Sequence, residues 1–205
     1  MISHSSRRLR RTVLAVTAAT TILVGAMPAI ADACTVANTT ESQPFAQFGD
    51  TSLYTLAPGG SFENGTAGWT LNGASIQTGN ESYQVNSPTD SQSLLVPPTS
   101  DPISAPICVS KATPTFRFFA REASGSWAEM NINVLWRDSS GVSHVTTAGD
   151  LSPSNNWAPT PIYELGAKLP LWQPGSTLSV RIQFVPASTG GALAIDDLYI
   201  DPYST

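Results

Sequence analysis

Apolar and polar residues alternate along this chain with a period of two, and no long segment sustains helical spacing. In residues 128–137, Ala128, Met130, Ile132, Val134 and Trp136 fall on one face. Glu129, Asn131, Asn133, Leu135 and Arg137 fall on the other. In 177–185, Leu178, Val180, Ile182 and Phe184 oppose Ser179, Arg181, Gln183 and Val185. In 115–121, Phe116, Phe118 and Ala120 oppose Arg117, Phe119 and Arg121. Clusters of Pro, Gly, Ser, Asn and Asp separate such runs and predict turns. Strands are predicted at Gly68–Leu71, Ser75–Gln77, Ser93–Val96, Thr115–Arg121, Ala128–Arg137, Val142–Thr147, Trp157–Leu165, Thr177–Val185 and Ala192–Ile200. Residues 32–57 read as irregular. The whole predicts an all-β domain, a two-sheet antiparallel β-sandwich or jelly roll.

If those three strands share a sheet, its polar face carries Arg117, Phe119, Arg121, Asn131, Asn133, Arg181 and Gln183. A sheet with one wet face looks like this without any function. The sharper reading is a ligand-binding face. Amides and guanidinium groups make forked hydrogen bonds to sugar hydroxyls, and rings cover the apolar faces of pyranoses.

The last predicted strand breaks the pattern. Residues 192–200 are apolar apart from the adjacent acids Asp196 and Asp197. Strict alternation places Asp196 with Leu198 and Ile200, and Asp197 with Ile195 and Tyr199. Either way one carboxylate points among apolar neighbours, where it must be neutralised, hydrogen-bonded or coordinated. A hard cation such as Ca²⁺ is one solution, and an arginine partner is the other.

The N-terminus has its own signature. Arg7, Arg8, Arg10 and Arg11 precede an apolar run over 13–26, then Pro28 and Ala29-Ile30-Ala31. This predicts a cleaved secretory signal peptide over 1–31, with an apolar run too short for a membrane anchor. Four of the ten basic residues lie in it, so the six that follow face fifteen acids, a net charge of −9. That balance argues against nucleic acid as a partner and is compatible with cation binding. Cys34 and Cys108 are the only cysteines and both follow the leader. In an oxidising compartment they are expected to form a disulfide, contributing at most about 4–5 kcal/mol. The expected organisation is a leader (1–31), an N-terminal segment tied by that bridge (32–57) and a sandwich domain (58–205).

Gly60-Ser-Phe-Glu-Asn-Gly-Thr-Ala-Gly-Trp69 resembles the opening of galactose-binding-like jelly rolls, notably carbohydrate-binding modules of the type 4, 9 and 22 families. These begin with a G-S-F-E-x-G-x-x-x-W stretch and end with a strand like Ala194-Ile-Asp-Asp-Leu-Tyr-Ile200. The chain also resembles a group of small secreted bacterial proteins of unassigned activity. The resemblance implies a structural calcium site in which Glu63 and Asp196, with Asp197 as the alternative, supply ligands. The aromatic platforms of those modules have no evident counterpart, although Trp127, Trp157 and Trp172 lie near strand ends or in loops.

Catalytic motifs are absent from the sequence. His144 is the sole histidine after the leader, and no G-x-S-x-G elbow or zinc motif occurs. Glu129 and Asp138 fall on opposite faces of one predicted strand and cannot flank a common bond. The expectation is a secreted, non-catalytic domain that binds extracellular or cell-wall glycan, with a structural calcium. The alternative is an extracellular structural or protein-interaction domain of the same fold without a sugar site.

Overall fold

A computed structural model describes residues 40–66, 68–110, 115–125, 127–165, 169 and 177–201. The expected signal peptide, Cys34 and Trp172 lie outside the described residues. The strands are β1 (Glu41–Ser42), β2 (Tyr54–Leu56), β3 (Ser75–Thr78), β4 (Gln92–Val96), β5 (Ile107–Ser110) and β6 (Thr115–Glu122). They continue with β7 (Met130–Arg137), β8 (Ser143–Leu151), β9 (Ala158–Pro159), β10 (Tyr163–Glu164), β11 (Thr177–Pro186) and β12 (Leu193–Asp201).

Two antiparallel sheets result. The smaller runs β5-β11-β7-β8. The larger is centred on β12, which pairs with β6 along one side and with β4 and β2 in succession along the other. β3 extends β4, β1 extends β2, and β9 and β10 lie beyond β6. The alternation read from the sequence explains the register. Val180, Ile182 and Phe184 of β11 stand opposite Trp136, Val134 and Ile132 of β7, so apolar faces coincide. They bury against Phe116, Phe118 and Ala120 of β6 and Leu193, Ile195, Leu198 and Ile200 of β12. The expected two-sheet jelly-roll sandwich is therefore the fold observed.

The Gly59–Leu71 stretch is a chain of turns, and its predicted strand at Gly68–Leu71 shrinks to one bridge between Thr70 and Ile103. Phe62 adopts a left-handed φ of 61° and its ring lies edge-on to Trp69 at 5.0 Å. Trp69 in turn stacks parallel to Phe184 at 6.0 Å and donates Nε1–H to the Pro58 carbonyl at 3.0 Å. Gly60 is required by space, since a Cβ there would meet the Leu198 carbonyl oxygen at 2.8 Å. The motif is thus a plug that closes one end of the core.

Three expectations need correction. Residues 40–57 are not irregular, because they supply β1, β2 and a 3-10 turn at Ala46–Phe48. The single strand predicted at Trp157–Leu165 is broken into β9 and β10, since Pro159 and Pro161 remove backbone donors. β6 does not share a sheet with β7 and β11.

The N-terminal segment lies over the outer face of the larger sheet. Phe45 is fully buried, stacked on Phe119 at 5.4 Å and edge-on to Tyr54 and Tyr199 at 5.0 and 5.8 Å. Arg117 sits 4.4 Å over the Phe45 ring, pairs with Asp50 at 2.7 Å, and donates from Nε and Nη2 to the Thr160 carbonyl. Burial raises the Asp50 carboxyl, but hydrogen bonds from Tyr54, the Ser52 amide and Arg117 outweigh it and hold it below the usual carboxylate range. Asp50→Ala leaves Arg117 buried and unpaired, and the expected loss is about 3–5 kcal/mol. Urea unfolding of the two proteins measures it, and a loss within about 0.5 kcal/mol would mean the pair behaves as a surface contact.

Candidate functional site

The centre of β12 departs from strict alternation. Its register against β6 shifts between Asp196 and Tyr199, and Asp197 has a left-handed φ of 48°. This bulge inserts one residue, so Leu193, Ile195, Leu198 and Ile200 all face the inter-sheet core. Asp196 falls on the opposite face, paired in register with Phe119. The facing expected from strict alternation, with Asp196 beside Leu198 and Ile200, is replaced by this arrangement.

The two acids then differ in their partners. Asp196 is 1% exposed, and its Oδ2 accepts from the Glu81 amide at 2.9 Å while Oδ1 accepts from the Asp197 amide at 2.9 Å. Asp197 is wholly buried, and neither of its carboxylate oxygens has a partner. Asn80 Oδ1 is a third buried oxygen in that condition. Burial first, then the charges of Glu81, Asp90 and Glu63, push the Asp197 carboxyl up to about 8. Burial and the adjacent Asp197 charge also push Asp196 up.

Glu63 lies close enough for its charge to bear on Asp197. Its Oε1 accepts from the Ser91 and Gln92 amides at 2.8 and 2.6 Å, tying the opening turn to the start of β4. Oε2 has only a long contact with the Ser91 hydroxyl, 3.4 Å. Glu81 is engaged by the amides of Tyr83 and Val85, and burial pushes it up.

Among the described residues no three His, Cys, Asp or Glu side chains converge on a point that could hold a metal. The orphaned oxygens are instead the Asp197 carboxylate, in the gap of β12 between its pairings with β4 and β2, and the side-chain amide oxygen of Asn80, the residue before Glu81 whose own amide binds Asp196. Such a set suits a hard cation completed by carbonyl oxygens. Asp197 fits that role better than Asp196, whose oxygens are already occupied by backbone donors.

The seven residues expected on one polar face are divided between two. Arg117, Phe119 and Arg121 lie on the outer face of the larger sheet, the first two beneath the N-terminal segment. Asn131, Asn133, Arg181 and Gln183 lie on the outer face of the smaller sheet. There Thr147 Oγ1 donates to Asn133 Oδ1 at 3.2 Å, Asn133 Nδ2 to Gln183 Oε1 at 3.3 Å, and Gln183 Nε2 to Asp101 Oδ2 at 3.3 Å. This polar row crosses β11, β7 and β8. The neighbouring row is Arg181, Leu135 and Val145 in register, with Val145 65% exposed. Arg181 Nη1 is fixed by the carbonyls of Ser104 and Gly68.

His144 lies in the β7–β8 hairpin. Its ring stacks on Trp136 at 4.2 Å, and Nε2 meets Asp138 Oδ2 at 2.8 Å. Hydrogen bonds from Ser140 and His144 hold the Asp138 carboxyl well below its ordinary range. The pair closes a turn, for Asp138 Oδ1 also accepts from the amides of Ser140 and Val142. Cys108 lies on β5, and no cysteine is free among the described residues. Its expected partner, Cys34, lies outside them.

No protein-family model matches the chain, and no curated protein matches it. Solved structures do resemble it. One is the xylanase 10B fragment of Clostridium thermocellum carrying a family 22 carbohydrate-binding module and a GH10 module, complexed with xylohexaose, with TM-score 0.48 and 10% identity. That match covers 69% of this chain and 27% of the other, so the chain spans about a quarter of that structure's length. Another is the C-terminal family 22 module of the same xylanase, with TM-score 0.45 and 18% identity over 71% of this chain and 92% of that one. A third, a family 61 module in complex with β-1,4-galactotriose, has TM-score 0.42 and 12% identity over 71% and 96%.

The orphaned carboxylate generates a prediction about pH and cations. A carboxyl raised in the folded state favours folding most below the ordinary carboxylate value of about 3.9. That contribution is lost as pH climbs toward about 8. In chelator the melting midpoint should therefore fall as pH rises across this window. Millimolar Ca²⁺ should restore it, most at the alkaline end, and Asp197→Asn should remove the calcium response. A midpoint at pH 8 that is the same in Ca²⁺ and in EDTA would show that Asp197 is satisfied in another way.

Proposed function

We propose that the mature chain is a secreted, non-catalytic glycan-binding domain that uses the outer face of the β5-β11-β7-β8 sheet. The observation that carries this reading is the row of cross-linked polar side chains beside an exposed apolar strip. Asn133 and Gln183 are already oriented by each other and by Thr147, so the remaining donors and acceptors of the two amides point in fixed directions. Arg181 is pinned through one nitrogen, leaving the rest of its fork for a ligand. Leu135 and Val145 present the low apolar surface on which a pyranose ring can rest. A hydroxyl-rich ligand with alternating polar edges and apolar faces matches both rows at once. The opening and closing motifs, which resemble those of carbohydrate-binding modules, support the same reading.

The proposal includes a structural Ca²⁺ held by Asp197, the Asn80 side-chain oxygen and Glu63, and a Cys34–Cys108 bridge. The cation would lock the opening turn to β12. The sheet face would bind without cleaving.

The test is a glycan array followed by polysaccharide pull-down with the protein from Asp32 onward. Neutral plant or cell-wall polysaccharide should be retained. The Asn133→Ala/Gln183→Ala double variant should weaken binding about tenfold or more, as two hydrogen bonds of about 0.5–1.5 kcal/mol are lost. Retention that is unchanged in this variant would overturn the sheet-face assignment. An array with no retained glycan would favour the protein-interaction reading of the fold.

A further inference from the structure

The second half of the divided polar set carries a site of its own. Arg117 and Arg121 stand four residues apart on the same face of β6, yet their surroundings are opposite. Arg117 has Asp50, Phe45 and the Thr160 carbonyl. Arg121 has one hydrogen bond, from Nη1 to the Glu122 carbonyl at 3.1 Å, and its guanidinium lies 5.3 Å over the Trp157 ring. No acid pairs with it, although every acid of the mature chain except Asp32 lies among the described residues. An unpaired, half-buried cation on a chain this acidic is an anion-binding group waiting for a partner.

Its setting is built. Tyr83 donates its hydroxyl to the Trp157 carbonyl at 3.2 Å and is 40% exposed. The Tyr83 ring is held edge-on to Phe48 at 4.8 Å and tilted over Phe119 at 5.8 Å. Beyond Arg121 in register come Ala194, which is fully buried, then Leu95 and Ser75. We propose that Arg121, Trp157 and Tyr83 form a second binding site, for the carboxylate of an acidic sugar. The free edge of the guanidinium receives the carboxylate, and the exposed aromatic surface receives the apolar face of the pyranose. A uronate carries both features in one residue. The site is on the opposite face from Asn133 and Arg181 and does not depend on the proposal made for them.

The experiment is titration of the mature protein with oligogalacturonate and with the same oligosaccharide after carboxyl reduction. The acidic form should bind, weaken with added salt, and exceed the reduced form by about tenfold or more. Arg121→Gln should abolish that preference while melting like wild type, Arg121→Lys should keep part of it, and Tyr83→Ala, which removes ring surface packed on Phe48 and Phe119, should weaken both forms alike. Asn133→Ala/Gln183→Ala should leave it unchanged, which separates this site from the other sheet face. Equal binding of the reduced oligosaccharide, or undiminished binding by Arg121→Gln, overturns the proposal. Equal Arg121-dependent binding of poly-glutamate overturns the sugar assignment.

Discussion

Strand β12 has to do two incompatible things. It is the central strand of the larger sheet and is buried from Leu193 to Ile200, yet it carries two neighbouring carboxylates. A regular strand would send one of them into the inter-sheet core. The bulge resolves this by spending one residue. Leu198 and Ile200 regain the core face, Asp196 turns to the outer face, and Asp197 is left between the start of β4 and the end of β2. The opening turn is fitted to the same place. Leu198 donates its amide to the Gly60 carbonyl and accepts from the Ala57 amide, and Glu63 holds the start of β4. Both ends of the domain thus meet at the bulge, and the unpartnered Asp197 oxygens lie where both are joined.

The two outer faces follow different physical rules. On the larger sheet, Phe119 and Tyr199 would be exposed rings without Phe45 and Phe48 above them and Tyr54 beside them on β2. Covering them also buries Arg117, which is acceptable because the covering segment brings Asp50 and the β9–β10 connection brings the Thr160 carbonyl. On the smaller sheet the outward residues of β7, β8 and β11 are short, polar or aliphatic, and they satisfy one another laterally. Among the described residues that face is stable without a covering layer, and this is what the proposed ligand would use.

Much of this was legible from alternation alone. The faces of β6, β7 and β11 follow the pattern residue for residue, and the plug role of Phe62 and Trp69 is consistent with the motif that holds them. Sheet membership was not legible. Alternation says which side chains share a face within a strand, but not which strands are neighbours, so β6 was grouped with the wrong partners. Short strands also escaped, since β2 and β5 have three and four residues and no room to show a period. The bulge was invisible for a related reason. A one-residue insertion leaves the sequence unchanged and is revealed only by the register against β6. Two adjacent acids in an apolar strand were the one available sign of it.

The division of the polar set also changes what its arginines mean. Taken as one face, Arg117, Arg121 and Arg181 look like three copies of one device. Separated, they sort by what desolvates them. Arg117 is under the cover and its charge is neutralised by Asp50, so it acts on stability. Arg181, on an interior strand of the smaller sheet, has one nitrogen held by two carbonyls. Arg121 lies just past the end of the cover, where Phe48 and Tyr83 stop and Trp157 begins, with aromatic shelter but no counter-charge. Guanidinium stacking on a ring removes water from one side of the cation without neutralising it. That strengthens the attraction to an incoming carboxylate compared with a fully hydrated arginine. The reach of residues 45–50 over β6 therefore decides which of two otherwise equivalent arginines is structural and which is available.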